Sequence, residues 1–264
     1  MIASLRRIRR IIETETAYRL WQLQTLQRLD GNPFGIAWRQ LDAGAIALLA
    51  RRPGPAHNRV MGLRGDLIAE IEPLLAWYAE AGIKPQFETI SAYADPDLAG
   101  ELARRGYYQS GFQVVLAAAA AMSGQGRGQA DGADSIEAVD SPGQLVAFLE
   151  LNGWAAGAAG APQLSSGPGA GQVSLYLRRS QGRPVAAAVL FVNGGIGYCA
   201  PAAAAAGKAV AGLDGALLAR RMAAARDAGV EWVCSEADLM SVRHLGLTRM
   251  GFEVAFLRTQ WSAL

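Results

Sequence analysis

Two stretches of this chain end in the same way, and that repetition constrains the fold more than any other feature. Residues 103–116 read ARRGYYQSGFQVVL and residues 248–261 read TRMGFEVAFLRTQW. Each has the form Arg-x-Gly-aromatic, where glycine closes a helix and the aromatic residue opens a strand. Upstream of both, apolar periodicity gives the same order of strand, helix, strand, helix. A duplicated α/β unit is the economical explanation, because a long self-similar order rarely serves two unrelated folds.

The rest of the chain fits this division. A helix is predicted over residues 4–29, stopped by Asp30-Gly31-Asn32-Pro33. Strands follow over 34–41 and 45–51, joined at Asp42-Ala43-Gly44, then a short apolar segment at 60–63. A helix over 66–81, a strand over 84–91, a helix over 95–105 and a strand over 107–117 complete the first half. Residues 119–133 lose all periodicity and are small, polar and Gly-rich, the composition of a linker. The pattern restarts with a strand at 135–139 and a helix opened by Ser141-Pro142. Strands at 173–178 and 184–192 turn at Ser180-Gln181-Gly182, and a third strand spans 196–202. A helix over 212–228, a strand over 231–235, a helix over 240–250 and a strand over 252–261 end the chain. The expected modules are therefore residues 1–118 and 134–264, with 119–133 between them.

Composition narrows the function classes. Of 264 residues, 51% are hydrophobic and 18% charged, enough for real cores and too little charge for global disorder. With 25 basic and 23 acidic residues the net charge is only +2, which argues against a nucleic-acid partner. No apolar run reaches the roughly 18 residues of a membrane span. Arg6, Arg7, Arg9 and Arg10 stand off a face made by Leu5, Ile8 and Ile12, the pattern of a solvated amphipathic helix. Cys199 and Cys234 form no motif and suggest a reducing, cytoplasmic setting. His57 and His244 have no partner at metal-ligand spacing, so no metal is expected.

Residues 193–218, NGGIGYCAPAAAAAGKAVAGLDGALL, carry the chemistry. A short strand feeds a loop of Gly and Ala, and the loop feeds a helix. That is the layout in which backbone N–H groups hold a phosphate at a helix N-terminus.

This stretch, the passage ALLARRMAAARDAGVEWV at 216–233 and the closing Arg249-Met250-Gly251-Phe252 make the second half similar to the GNAT N-acetyltransferase superfamily. The first half resembles the N-terminal module of tandem members through NRVMGL at 58–63 and LARRGY at 102–107. The resemblance implies an α/β (α+β) chain of two GNAT-like modules, each a mixed, mostly antiparallel sheet flanked by helices. It implies acetyl-CoA as acyl donor and, as acceptor, the amine of a small molecule or peptide, without nucleic acid or membrane and with room for a homodimer. In that superfamily the strand's end bonds the pantetheine, and a loop of pattern Arg/Gln-x-x-Gly-x-Gly/Ala wraps the pyrophosphate. Carried over, the cofactor positions are Ala202, Ala203, Ala204, Lys208, Ala209, Val210, Ala211, Gly212, Leu213, Asp214, Gly215 and Ala216.

The chain departs from that pattern at three positions. Ala209 stands where the family has Arg or Gln, Asp214 where it has Gly or Ala, and Leu247 where a Tyr commonly protonates the departing thiolate. Acyl transfer also needs a base for the amine's proton. Glu236, just past a strand end, is the candidate, with Tyr198 and Ser241 as hydroxyl donors. Each has a plainer alternative: a helix-start carboxylate, a half-buried core ring and a turn residue. Trp154 either lines an acceptor pocket or packs on the surface. The rival function is a degenerate acyl-CoA-binding or structural sensor module.

Overall fold

The computed structural model describes residues 4–42, 44–52, 57–122, 134–154, 172–205 and 210–264. Its first half contains α1 (Leu5–Gln27), β1 (Ala37–Asp42), β2 (Ala45–Leu49), β3 (Arg59–Leu63), α2 (Ile71–Glu80), β4 (Gln86–Ile90), α3 (Pro96–Arg104) and β5 (Tyr107–Ala119). The second half contains β6 (Asp134–Ala138), α4 (Pro142–Leu151), β7 (Val173–Ser180), β8 (Arg183–Asn193), β9 (Ile196–Cys199), β10 (Ala203–Ala204), α5 (Val210–Asp227), β11 (Trp232–Asp238), α6 (Val242–Arg249) and β12 (Glu253–Ala263). This is the expected α/β order. Most boundaries fall within two or three residues of the sequence reading.

Local chemistry explains the boundaries. Ser4, Asp95, Ser141 and Ser241 accept N-terminal backbone bonds of their helices, Ser141 in a full capping box with Gln144. The helix expected at 66–81 is a 3₁₀ stretch over Gly65–Glu70 that becomes α-helical only at Ile71. Gln181 and Gly182 both take positive φ (49° and 76°), the pair of left-handed residues that a tight hairpin between twisted strands requires.

All strands among the described residues join one mixed sheet in the order β1-β2-β3-β4-β12-β5-β11-β9-β8-β7-β6, with β10 adding to β8. Only β3–β4 and β9–β11 pair parallel among the described residues. The centre of the sheet holds a feature that periodicity did not reveal. Each half sends its last strand into the other: β12 bonds β4, β5 bonds β11, and β5 and β12 run antiparallel from Glu253↔Ala117 to Ala263↔Tyr107. Residues 123–133 of the expected linker lie outside the described residues, and the sheet is continuous across the division they were expected to mark.

Alternate strand residues face opposite ways. On one face Ile46, Val115, Val189, Phe191 and Tyr198 pack under α1 and α4, while on the other α2 and α3 cover the first half and α5 and α6 the second. The expectation of a solvated first helix needs correction. At 23 residues, roughly 35 Å long, α1 lies across both halves and buries Ile8, Ile11, Ile12, Glu15, Tyr18, Trp21 and Leu26.

Candidate functional site

The two parallel strands β9 and β11 pair only over Ile196–Tyr198 and Trp232–Cys234, and then part. At the parting point Ser235 donates its hydroxyl to the Cys199 carbonyl at 2.6 Å. Past it, β9 bends at Ala200-Pro201 and continues as β10, where Ala203 and Ala204 pair Ala187 and Ala186 of β8. Ala205 extends this ladder to the Val185 carbonyl. Among the described residues no strand pairs the opposite edge of this bent segment, and β11 beyond Cys234 pairs as a strand with β5 alone. The result is a wedge between two open strand edges, walled on one side by Ala200, Ala202, Ala203 and Ala204. An extended, amide-bearing chain can add to such edges by backbone bonds, and alanine lets it approach closely.

Arg221 of α5 fixes the bend. It is fully buried and donates to the carbonyls of Val189 (3.1 Å), Ala200 (2.6 Å) and Leu217 (3.2 Å). Burial pulls its pKa down. Arg243 of α6 reaches the apex of the wedge, donating to the Ser235 hydroxyl and the Glu236 carbonyl, each at 2.8 Å. The sequence reading missed both arginines. For Arg221 the signal was present, because it shares the helical face of Leu217, Leu218, Met222 and Ala225, all buried.

Of the three expected catalytic side chains the structure unites two. Tyr198 donates its hydroxyl to Glu236 Oε1 at 2.9 Å, and both are buried. Glu236 Oε1 also accepts from Arg19 of α1 (3.1 Å), and its Oε2 from Arg258 of β12 (2.8 Å). Arg258 in turn bonds Glu15 of α1 at 2.5 Å and lies 3.6 Å from Glu88 of β4, which pairs with Arg59 of β3 at 2.8 Å. Three carboxylates and three guanidiniums thus form one network under α1, spanning both halves. Burial alone would raise the Glu236 pKa, but the charges of Arg19, Arg258 and Arg59 outweigh it and hold the group down at about 2. For Glu15, burial dominates and raises the pKa to about 7. One oxygen of Glu15, Oε1, is buried without a hydrogen-bond partner among the described residues, in keeping with that shift.

This geometry gives the sequence candidates specific positions. Ser241 is the N-cap of α6, its hydroxyl accepting from the His244 N–H at 3.2 Å. Leu247 is buried in the core and offers no polar group. The helix expected to begin near Gly212 already runs from Val210, so Val210, Ala211, Gly212, Leu213 and Asp214 form its opening turns and Gly215 and Ala216 follow. Lys208 and Ala209 lie outside the described residues, as do the side chains of residues 210–214. Trp154 is buried, not superficial. It meets Phe34 edge to face at 4.7 Å and stacks on His57 at 5.1 Å.

Trp154 and His57 line a pocket of about 240 Å³ between the halves. Its walls come from α1 (Tyr18, Arg19, Gln22), the start of β3 (Arg59) and the bend of β9 (Ala200, Pro201). The pocket and the wedge therefore meet at Ala200-Pro201. Burial, reinforced by the charges of Arg59 and Arg19, pulls the His57 pKa down to about 4, which leaves its imidazole neutral at pH 7.

No protein-family model matches this sequence, and no match is found among curated proteins. Solved structures do resemble the fold. A GCN5-related N-acetyltransferase from Kribbella flavida aligns over 97% of this chain and 95% of its own, with TM-score 0.63 and 18% identity. A tandem GNAT protein from the clavulanic acid biosynthesis pathway aligns over 94% of both chains, with TM-score 0.59 and 15% identity. A GCN5-related N-acetyltransferase from Sphaerobacter thermophilus covers 90% of this chain and 84% of its own, with TM-score 0.52 and 14% identity. The paired strands that part at Cys199, the doubled layout and these full-length alignments agree: the chain has the GNAT fold in its tandem form.

Proposed function

We propose that this chain is an acetyl-CoA-dependent N-acyltransferase acting on a small amine, with the donor in the wedge between β9 and β11 and the acceptor in the pocket between the halves. The observation that carries this reading is the meeting of wedge and pocket at Ala200-Pro201. The wedge suits the donor on its own terms: two open strand edges for the pantetheine amides, small side chains along one of them, and the N-terminus of the 18-residue α5 for the phosphates. Bound acetyl-CoA supplies an activated thioester.

The chain's own residues account for the remaining requirements. Arg243 places a cation at the apex of the wedge, where negative charge develops first on the thioester oxygen and then on sulfur. It precedes Leu247 by one helical turn, so a cation serves where the resemblance led one to expect a hydroxyl. The acceptor must present a neutral amine. Arg19 and Arg59 disfavour the ammonium form by like charge in the pocket. His57, neutral at pH 7, stands in the same pocket as a hydrogen-bond partner for the amine. The burial and arginine charges that hold its pKa at about 4 make it a weak base, so it relays the proton to water rather than keeping it.

Glu236 fits the base role poorly, since a carboxylate held at about 2 has little affinity for an amine's proton. It serves to position Arg19 and Tyr198. The buried Leu247 favours the rival reading, in which acetyl-CoA binds without turnover.

Calorimetric titration with acetyl-CoA tests the donor site. Saturable binding is expected with Kd between about 1 µM and 1 mM, weakened about tenfold or more in Gly212→Glu, where a carboxylate enters the helix start and opposes the diphosphate. Absence of heat up to about 1 mM would refute the donor site. Binding without thiol release for any amine would establish the rival.

A further inference from the structure

The pocket between the halves carries an electrostatic signature beyond acyl transfer itself. Its described lining contains two arginines, Arg19 and Arg59, and neither Asp nor Glu. The acids of the network stand behind these arginines: the side chains of Glu15, Glu88 and Glu236 are 3%, 1% and 8% exposed, whereas those of Arg19 and Arg59 are each 20% exposed. The network thus turns two of its three positive members, Arg19 and Arg59, toward the pocket. Of the five N–H groups on its guanidinium, Arg19 directs one to Glu236 and one to Gln22. Glu236 and Gln22 orient the Arg19 guanidinium in the wall of the cavity.

The balance of charge also leans positive. Glu15, with its pKa near 7, carries only part of a charge at neutral pH, against three arginines that stay protonated. The neighbouring walls are flat and apolar: the Trp154 ring, the His57 ring stacked on it, and Leu26 and Leu48. A guanidinium fork held at the end of a small, partly aromatic pocket matches a planar carboxylate in both charge and shape. At about 240 Å³ the pocket is smaller than the roughly 300–1,000 Å³ that drug-sized ligands occupy. Its occupant is a small molecule or a chain terminus, not a folded peptide.

We propose, resting on the acyl-transfer reading above, that the acceptor is an amino acid-like molecule carrying a carboxylate as well as the amine, its carboxylate held by Arg19 and Arg59 and its body laid against Trp154 and His57. This also reconciles two needs that otherwise conflict. A cationic wall repels an ammonium, yet an amine must enter; the carboxylate supplies the attraction, and the same wall then favours the neutral amine that attacks.

The test uses paired acceptors that differ in one group: free α- and ω-amino acids against their carboxamides, with acetyl-CoA at saturation and released CoA thiol as readout. The acids should exceed their amides by about tenfold or more in kcat/KM. Arg59→Gln should erase most of that preference chiefly through KM, and Arg59→Lys should restore part of it. Circular dichroism before and after heating confirms that each variant is folded. Amides turned over as well as acids, or better, would overturn the proposal while leaving acyl transfer standing. If no member releases thiol, acyl transfer fails, and saturation-transfer NMR of the same panel without acetyl-CoA decides the pocket. Signals from the acids that vanish in Arg59→Gln support a carboxylate site, and signals from none of them reject it.

Discussion

Arg258 is the joint of the molecule, and Arg258→Met is the substitution whose consequence can be worked furthest. The guanidinium is 2% exposed and reaches Glu15, Glu236 and Glu88, one from α1, one from each half's parallel strand pair. Methionine retains much of the volume and removes the charge. Taking one partner from a buried ion pair costs about 3–5 kcal/mol, because the carboxylate left behind is neither solvated nor paired. Three carboxylates lose a partner here, yet the cost should not triple. Glu236 keeps Arg19, Glu88 keeps Arg59, and Glu15, already raised to about 7, can take up a proton.

The expected loss is therefore a single such term. At about 2 °C per kcal/mol, the low end for chains above 150 residues, Tm should fall by about 6–10 °C. Differential scanning calorimetry at pH 7, with urea unfolding followed by circular dichroism, measures both quantities. Glu15 binds a proton on folding in wild type up to about pH 7 and in the variant beyond it, so the deficit against wild type should stay level between pH 5 and 7 and widen from 7 to 8. Introducing Glu15→Met into the Arg258→Met background should recover part of the loss, since the two groups touch and their effects cannot add. A fall in Tm below about 2 °C, or simple additivity of the two substitutions, would refute the view that this network is what couples the halves.

Three further outcomes follow from the same geometry. In wild type, Glu15 has its pKa raised from 4.5 to about 7, so the stability it contributes is complete below pH 4.5 and is lost as pH rises through 7. Glu236, lowered to about 2, contributes in the opposite sense and loses its share as pH falls from 4.5 toward 2. Glu15→Gln, which cannot ionise, should flatten the decline in Tm between pH 4.5 and 7, and an unchanged slope would show that Glu15 does not titrate there. Arg221→Met strands the carbonyls of Val189 and Ala200 at the bend of β9, at about 1–3 kcal/mol for each buried unpaired group. It should lower Tm and weaken acetyl-CoA binding together, whereas normal affinity in the folded variant would mean the bend plays no part in the donor site. Ser241→Ala removes a helix cap and should cost about 1 kcal/mol. A fall in turnover larger than the loss of folded protein would return Ser241 to the chemistry.

Much of the architecture was legible because local rules carried it. The glycines at 106 and 251 stop helices, Ser141 caps one, and the Ser180-Gln181-Gly182 turn fixes a register. None of these rules names a strand's partner. β5 and β12 read as the natural last strands of their own halves, but each is flanked by alternating apolar residues that serve either neighbour equally well, so the exchange stayed hidden. The site was half legible for a related reason. Tyr198 and Glu236 lie on strands whose parting could be foreseen, while the partners of Glu236, Arg19 and Arg258, come from the two ends of the chain, as does Glu15 behind Arg258. A signal did exist in α1: Glu15 occupies the face of Ile8, Ile11, Ile12 and Tyr18, where a solvated helix would not place a carboxylate. Charged residues at apolar helical positions, Glu15 and Arg221 alike, were the clue to the buried network and to the fixed bend.

Acetyl transfer is tested most directly by detecting the acetylated product. The measurement is mass spectrometry of amino acids incubated with protein and acetyl-CoA, run beside thiol release in the same tubes. N-acetylated amino acid should accumulate in step with free CoA, with both rates falling together in Arg243→Met. CoA released at a rate indifferent to the amine, or no acetylated product across the panel, would contradict it.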